Sequence, residues 1–379
     1  IDRSLFHLTS NPGIRKIAGL MLGRCSDVPD NDPDFVLTEE EVAHHWCRHS
    51  GIAYLGRADI GHDAENVKGA DFVVRSSAIP QSNPELKFAA AAGIPIIERA
   101  QALSELMAGC KSVAVAGTHG KTTTTSMLTV ALQHCGLDPS FAIGATVRNS
   151  GTNAHQGSGE IFVVEADESD GSFVAYRPSG AIVTNIELDH VDNFSDISAI
   201  DKLFAEFVMT IQPGGFLVAC GDDVGVKRLL EALPDLQSRG VELVTYGENL
   251  DADLKLDRIY VTANSAIARI TWKGRILGEM ELAISGRHNL FNAAAALASG
   301  LKLGASVQDL LAGLKLFTGA RRRFEIKGRV NEVTVVDDYG HHPTEITATL
   351  QTARIFAGSG RVIAIFQPHR YSRTKAFSQ

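Results

Sequence analysis

The run Ser112-Val-Ala-Val-Ala-Gly117-Thr118-His119-Gly120-Lys121-Thr122-Thr123-Thr124 has the residue types and spacing that bind phosphate. An apolar stretch that reads as a strand leads into a glycine-containing turn and then into a helix. Glycine lets backbone N–H groups approach phosphate oxygens closely. The helix N-terminus adds unpaired N–H groups and the positive end of its dipole. In this setting Lys121 reaches β- and γ-phosphates and the Thr122 hydroxyl ligates Mg²⁺. Gly117, Thr118, His119, Gly120 and Thr123 complete the candidate nucleotide loop. Val115 stands where the general G-x-x-x-x-G-K-[ST] pattern has its first glycine. Taken alone, the loop leaves a kinase, a GTPase, a motor and a ligase open. The chain has no guanine-reading Asn-Lys-x-Asp run.

Two further apolar runs end in polar groups. Ile161-Phe-Val-Val-Glu165 continues into Asp167, Glu168 and Asp170. A carboxylate at the C-terminal end of a strand beside a phosphate loop can hold Mg²⁺. Glu165 is the best placed, and the three later acids read as solvated loop acids. Ala181-Ile-Val-Thr-Asn185-Ile-Glu187-Leu-Asp189-His190 repeats the theme. Near the C-terminus, Pro368-His369-Arg370-Tyr371-Ser372-Arg373 places cations three residues apart, able to grip one carboxylate. The adjacent His341 and His342 lack further ligands at metal spacing, as does the His44-His45-Trp46-Cys47-Arg48-His49 segment, which reads as a polar helix surface.

The elements that must position these residues alternate. Phe72–Val74, Ile94–Ile97, Ser112–Ala116, Ile161–Val164, Ala181–Asn185, Gly215–Ala219 and Val241–Tyr246 read as strands, with Asn83–Ala92, Lys121–Cys135 and Ile200–Ile211 as helices. Such alternation predicts an α/β chain with a parallel sheet covered on both faces. Ile259–Arg269 and Ile276–Ile284 alternate as antiparallel strands would. Gln101–Lys111 reads as a break, and Val330–Val336 and Val362–Phe366 as a fresh start of strands. The expected organisation is three domains, at 1–101, 102–319 and 320–379.

The length of 379 residues suits two or three domains. A net charge of -8 argues against a nucleic-acid-coating protein. Five cysteines with no CxxC pair fit reduced thiols of a cytoplasmic protein. The apolar stretch around Phe88–Ile97 is too short to span a bilayer, which needs about 20 residues. The chain begins at Ile1 and stops at Gln379 just after a dense polar motif, which reads as a fragment.

The Gly-Thr-His-Gly-Lys-Thr-Thr-Thr form of the loop, together with Asn185…Asp189-His190, Gly286-Arg-His288-Asn289-Leu-Phe-Asn292-Ala, Arg321-Arg322-Arg323-Phe and Asp337-Asp338-Tyr339-Gly340-His341-His342-Pro343-Thr344-Glu345, resembles the Mur ligases, most closely their alanine-adding branch. The resemblance runs from about Gly61 to Gln379. It implies a Rossmann-like N-terminal domain for the UDP-substrate, a central P-loop ATPase-like domain with a parallel sheet, and a Rossmann-like C-terminal domain, incomplete here. In the family the third domain continues for about 80 residues more, so a chain of this length is expected to bind ATP but turn over slowly.

The implied activity is ATP-dependent joining of L-alanine to UDP-N-acetylmuramate, with two Mg²⁺ ions, by a monomer or homodimer. The rivals are a muropeptide-recycling ligase and an inactive nucleotide-binding relative. By resemblance His190 reaches the second Mg²⁺; His288, Asn289 and Asn292 help bind adenine; Asp338 lies near the ribose; and an arginine among Arg321, Arg322 and Arg323 meets the γ-phosphate. Tyr339 and His341 lie near the amino acid, and His369, Arg370 and Arg373 form the alanine and acceptor-carboxylate pocket. Asp71-Phe-Val-Val-Arg-Ser76-Ser77-Ala78-Ile79-Pro80 and Cys25-Ser26-Asp27 resemble parts of the UDP-substrate domain, with Asp27, Ser76 and Ser77 near the sugar nucleotide. The family's Gly-rich diphosphate loop has no counterpart, Asn11-Pro12-Gly13 being the nearest.

Overall fold

Asn83 opens a helix of this computed structural model, which describes residues 19–23, 53–58, 63–76, 79–191, 193–194, 196–368 and 371–377. The Asn83 side chain accepts from the N–H groups of Glu85 and Leu86, Pro84 takes the first helical position, and Gly93 ends the helix at φ 70°. These are the cap residues that chain stereochemistry favours. The chain divides into two units, 1–102 and 103–379.

In the first unit, β1 (Gly19–Gly23) pairs in parallel with β2 (Ala53–Ala58). β3 (Val73–Arg75) is joined through α1 (Pro84–Ala92) to β4 (Ile96–Glu98), again in parallel, with Val73 opposite Ile96. Arg75 Nε donates to Glu98 Oε1 at 2.7 Å across that pair. The chain continues through α2 (Arg99–Met107), a helix where the sequence suggested only a break. Its mixed polar composition hides it.

The second unit is built on a ten-stranded sheet. In chain order the members are β5 (Lys111–Ala116), followed by α3 (Lys121–His134), then β6 (Ser140–Ala142), β7 (Ala154–His155), β8 (Ile161–Glu165) and β9 (Gly180–Val183). After α4 (Ile197–Met209) come β10 (Phe216–Cys220), α5 (Val224–Ala232), β11 (Glu242–Gly247), β12 (Leu254–Val261), β13 (Ala266–Trp272) and β14 (Arg275–Leu282). The spatial order is β14-β13-β12-β11-β10-β9-β5-β8-β6-β7. From β12 to β8 and on to β6 neighbours run parallel; β13, β14 and β7 are antiparallel.

Composition explains the split. Val113 to Ala116 and Val163, Val164, Ala181, Ile182 and Val183 are fully buried, as strands covered on both faces must be. In β13 only Ala266, Ala268 and Ile270 are buried, the alternation of a half-solvated strand. α6 (Arg287–Lys302) and α7 (Val307–Lys315) pack with α3 against this sheet. Ala293 to Ala298 are wholly buried, and small side chains let these helices approach closely.

β15 (Glu325–Val330) and β16 (Val333–Asp337) form an antiparallel hairpin. The strand expected at Val330–Val336 is the turn and β16, and β15 before it was not expected; Asn331 and Glu332 take φ of 47° and 63° and turn the chain. α8 (Pro343–Ala357) and α9 (Tyr371–Phe377) follow. Val362–Phe366 forms no strand. Among the described residues no strand pairs with it, and Ile365 is 96% exposed, so there the apolar pattern has nothing to pack on. Among the described residues no helix is long and apolar enough to cross a membrane.

Candidate active site

β5, β8 and β9 lie side by side, so their C-terminal ends deliver residues 117–120, Glu165 and the 184–190 segment to one sheet edge. Crevices at such edges are where open α/β sheets bind ligands. The loop is shaped by its glycines. Gly117 takes φ 133°, and a Cβ there would lie 2.0 Å from Thr184 Oγ1; Gly120 takes φ 83°, and a Cβ would lie 2.5 Å from Asn292 Oδ1. Asn185 pins the loop from the other side. Its Oδ1 accepts from His119 N at 2.8 Å and its Nδ2 donates to His119 O at 3.0 Å. Thr118 Oγ1 donates to Glu187 O and accepts from Glu187 N.

Lys121 Nζ donates to Gly117 O at 2.6 Å and to Glu168 Oε1 at 3.1 Å, with Glu168 Oε2 at 2.8 Å. Burial opposes the ammonium, but Glu168, Asp167 and Glu165 outweigh it and hold the pKa above its ordinary value. Glu168 is only 2% exposed. It is the residue that sequence reading misplaced among solvated acids; its cation lies 47 positions away, beyond any local pattern. Thr122 Oγ1 donates to Glu165 Oε1 at 2.8 Å, and Gly144 N donates to Glu165 Oε2. His190 stands at φ 52°, with Nε2 3.6 Å from Glu168 Oε1 and a buried Nδ1 that has no hydrogen-bond partner. Lys121, Thr122, Glu165 and His190 thus gather around the loop.

A second group lines a cavity of about 640 Å³ beside it: His119, Gly120, Thr123, His288, Asn289, Asn292, Arg323 and Asp338. Asn292 Oδ1 accepts from Thr124 Oγ1, and Asn289 Nδ2 donates to Ser285 O at 2.7 Å. Asp338 accepts from Phe324 N at 2.8 Å and Gly340 N at 2.7 Å, fixing the entry to β15 against the exit of β16. Of the three arginines, Arg323 reaches Glu345 at 3.4 Å, while Arg322 lies over the Tyr339 ring at 4.7 Å.

The third group centres on Asp189, which is 3% exposed. Arg373 grips it with Nε to Oδ1 at 3.0 Å and Nη2 to Oδ2 at 3.2 Å, and His341 Nε2 lies 3.8 Å from Oδ2. Burial works against the carboxylate, yet His341, the His190 N–H, His190 and Arg373 together hold its pKa far below the usual range. Glu187 and Glu345, also unassigned from sequence, flank His119. Ser76 follows β3 in the first unit, whereas Asp27, Ser77, His369 and Arg370 lie outside the described residues.

Three family models match: the Mur ligase family catalytic domain over 56–111, the Mur ligase middle domain over 115–300, and the Mur ligase glutamate ligase domain over 322–379. A curated UDP-N-acetylmuramate–L-alanine ligase of Saccharopolyspora erythraea is 49% identical over 325 residues, covering 84% of this chain and 66% of the relative. The chain spans about two thirds of that relative's length and 75% of others'. The crystal structure of a UDP-N-acetylmuramate-alanine ligase of Thermotoga maritima aligns with TM-score 0.71 at 29% identity, covering 90% of this chain and 75% of that one. A UDP-N-acetylmuramate:L-alanyl-gamma-D-glutamyl-meso-diaminopimelate ligase of Neisseria meningitides aligns with TM-score 0.63 at 26% identity, covering 79% and 90%.

Proposed function

The chain belongs to the Mur ligase family, and from that premise we propose that it joins L-alanine to the lactyl carboxylate of UDP-N-acetylmuramate, driven by ATP. The observation that carries the reading is the gathering of Lys121, Thr122, Glu165 and His190 around a glycine-shaped loop, beside a cavity shared with Arg323 and Asp338 of the following lobe.

The donor set fits Mg²⁺. A hydroxyl and a carboxylate oxygen stand 2.8 Å apart at Thr122 and Glu165, hard ligands of the kind Mg²⁺ prefers. Asp167, Glu168 and His190 offer atoms within 4.8 Å of one another, and the buried His190 Nδ1 lacks a partner. Thr122 and Glu165 would hold one Mg²⁺, and His190 would reach a second. Bound there, Mg²⁺ supplies neutralisation of charge on the phosphates and on the acceptor carboxylate.

The chain's own residues do the rest. Loop N–H groups and Lys121 bind the phosphates, Lys121 leaving Glu168 to do so. The lactyl carboxylate oxygen bonds to the γ-phosphorus as the bond to ADP breaks. The alanine amine then attacks the acyl carbon, and phosphate leaves. Arg323, at the cavity wall, meets charge on the transferred group. His341 and Arg373 orient the amino-acid end, with Tyr339 beside them, and His288, Asn289 and Asn292 face the nucleotide. Catalysis here is positioning and charge neutralisation.

The test is phosphate release from ATP at constant UDP-N-acetylmuramate, with L-alanine, a tripeptide or no amino component. The expected result is release that depends on both the sugar nucleotide and L-alanine. Release with the tripeptide alone moves the assignment to a recycling ligase. No release in spite of nucleotide binding removes the ligase reading for this chain.

A further inference from the structure

We propose that Glu187 and Glu345 are positioning residues that act through His119, tying the phosphate loop to the lobe that carries β15, β16 and α8 so that the loop is set for nucleotide when that lobe is docked. The proposal rests on the reading of residues 117–122 as the ATP loop.

His119 is fixed at both levels. Its backbone is locked to the segment after β9: N–H to Asn185 Oδ1 at 2.8 Å, and C=O to Thr184 Oγ1 at 2.6 Å and Asn185 Nδ2 at 3.0 Å. Its ring then bridges two acids of different origin. Nε2 lies 3.6 Å from Glu187 Oε2, on the same segment, and Nδ1 lies 3.3 Å from Glu345 Oε1, in the first turn of α8. Both contacts are ion pairs, and the buried Nε2 has no hydrogen-bond partner among the described residues. The ring stands at the centre of an alternating row of charges: Arg323, Glu345, His119, Glu187.

Each acid is braced from its far side. Glu345 Oε1 is 3.4 Å from Arg323 Nη1, and its Oε2 accepts from His341 N at 3.2 Å. Glu187 Oε2 accepts from Thr344 Oγ1 at 2.6 Å, and His342 Nε2 lies 3.3 Å from Leu188 O. The His119 and His342 rings stand 4.6 Å apart. A shift of α8 therefore pulls on His119. At the next residue, Gly120, even an added Cβ would lie 2.5 Å from Asn292 Oδ1, so the loop is closely bounded on that side.

The same atoms suggest a transition-metal site, since His119, Glu187 and His342 offer ligand atoms within 4.8 Å of one another. Burial alone would lower the His119 pKa, but Glu187 and then Glu345 raise it to about 9, so a metal there would have to displace a proton from the ring.

The experiment uses the full chain with E345Q, H119Q and the double variant. It reads the Kd for Mg·ADP and the hydrogen–deuterium exchange of residues 117–121. The expectation is that E345Q and H119Q each weaken Mg·ADP by about five- to tenfold, with the double variant no weaker than either alone. Exchange at 117–121 should rise in E345Q, although Glu345 belongs to another lobe. Kd values within about twofold of wild type with unchanged exchange, or single effects that multiply in the double variant, overturn the proposal. If E345Q loosens α8 itself, seen as faster exchange through residues 346–357, H119Q carries the test from the loop's side. It must then raise exchange at residues 339–345. Alanine-dependent phosphate release is followed in parallel: wild-type protein that shows the coupling but no release keeps this proposal and loses only the ligase reading.

Discussion

Lys121 and Glu168 form a buried pair whose worth differs from that of a surface salt bridge. The ammonium sits 2.8 Å from one carboxylate oxygen, at an acid that is 2% exposed. A buried pair is weak evidence of net stability, but removing one partner strands the other. E168Q keeps an acceptor and loses the charge, so a loss of about 1–3 kcal/mol is expected. In K121M the stranded group is the buried Glu168 carboxylate. The double variant E168Q/K121M should therefore be more stable than the sum of the two single losses, as read by chemical denaturation. Strict additivity would mean that the two side chains do not interact in solution. Under the proposed function the pair also bears on nucleotide binding, because Lys121 would exchange Glu168 for phosphate.

At the scale of elements, helix packing depends on positions where no side chain fits. Gly313 of α7 faces α3. A Cβ there would lie 2.7 Å from Ala131 Cα and 2.9 Å from His134 Cβ. Helix propensity alone favours alanine over glycine by about 0.5–1 kcal/mol. Overpacking costs about 1–3 kcal/mol, so the net effect of G313A should be destabilisation. A higher denaturation midpoint for G313A would show that α3 and α7 are less close in solution. Legibility follows the same line between local and distant. β5, the phosphate turn and α3 were readable because strand, glycine and helix signals are contiguous. Antiparallel strands were readable from alternation in two runs, but Ile259–Arg269 was read as one strand although it spans the turn from Val261 to Ala266, so β12 was not separated from β13. Glu168, Glu187 and Glu345 were not readable, because an acid in sequence looks the same whether it meets water or a cation. Asp189 meets Arg373 across 184 positions. Val362–Phe366 failed for the opposite reason: its pattern was right for a strand, but a strand exists only with a neighbour to pair with.

At the scale of the whole second unit, the 187–189 segment and the phosphate loop carry the contacts to the lobe of α8 and α9, and most of these contacts titrate. His119 has a folded pKa of about 9 against 6.5 unfolded, so its contribution is complete below pH 6.5 and is lost as pH rises through 9. That interval corresponds to about 3 kcal/mol. Burial pushes the His342 pKa down, helped by His119, so its contribution is present above pH 6.5 and is lost as pH falls. Glu345, Glu187 and Asp189 are all held below their ordinary values, and their contributions fade only in acid. The net curve should peak near pH 6.5 and decline on both sides, with the alkaline decline belonging to His119. Urea denaturation of wild type and H119Q from pH 6.5 to 9.5 checks this. Wild type should lose stability across that range while H119Q stays nearly flat, the two curves converging at the alkaline end. Parallel curves would assign the alkaline decline to other groups and would leave the His119 bridge between Glu187 and Glu345 without an energetic role.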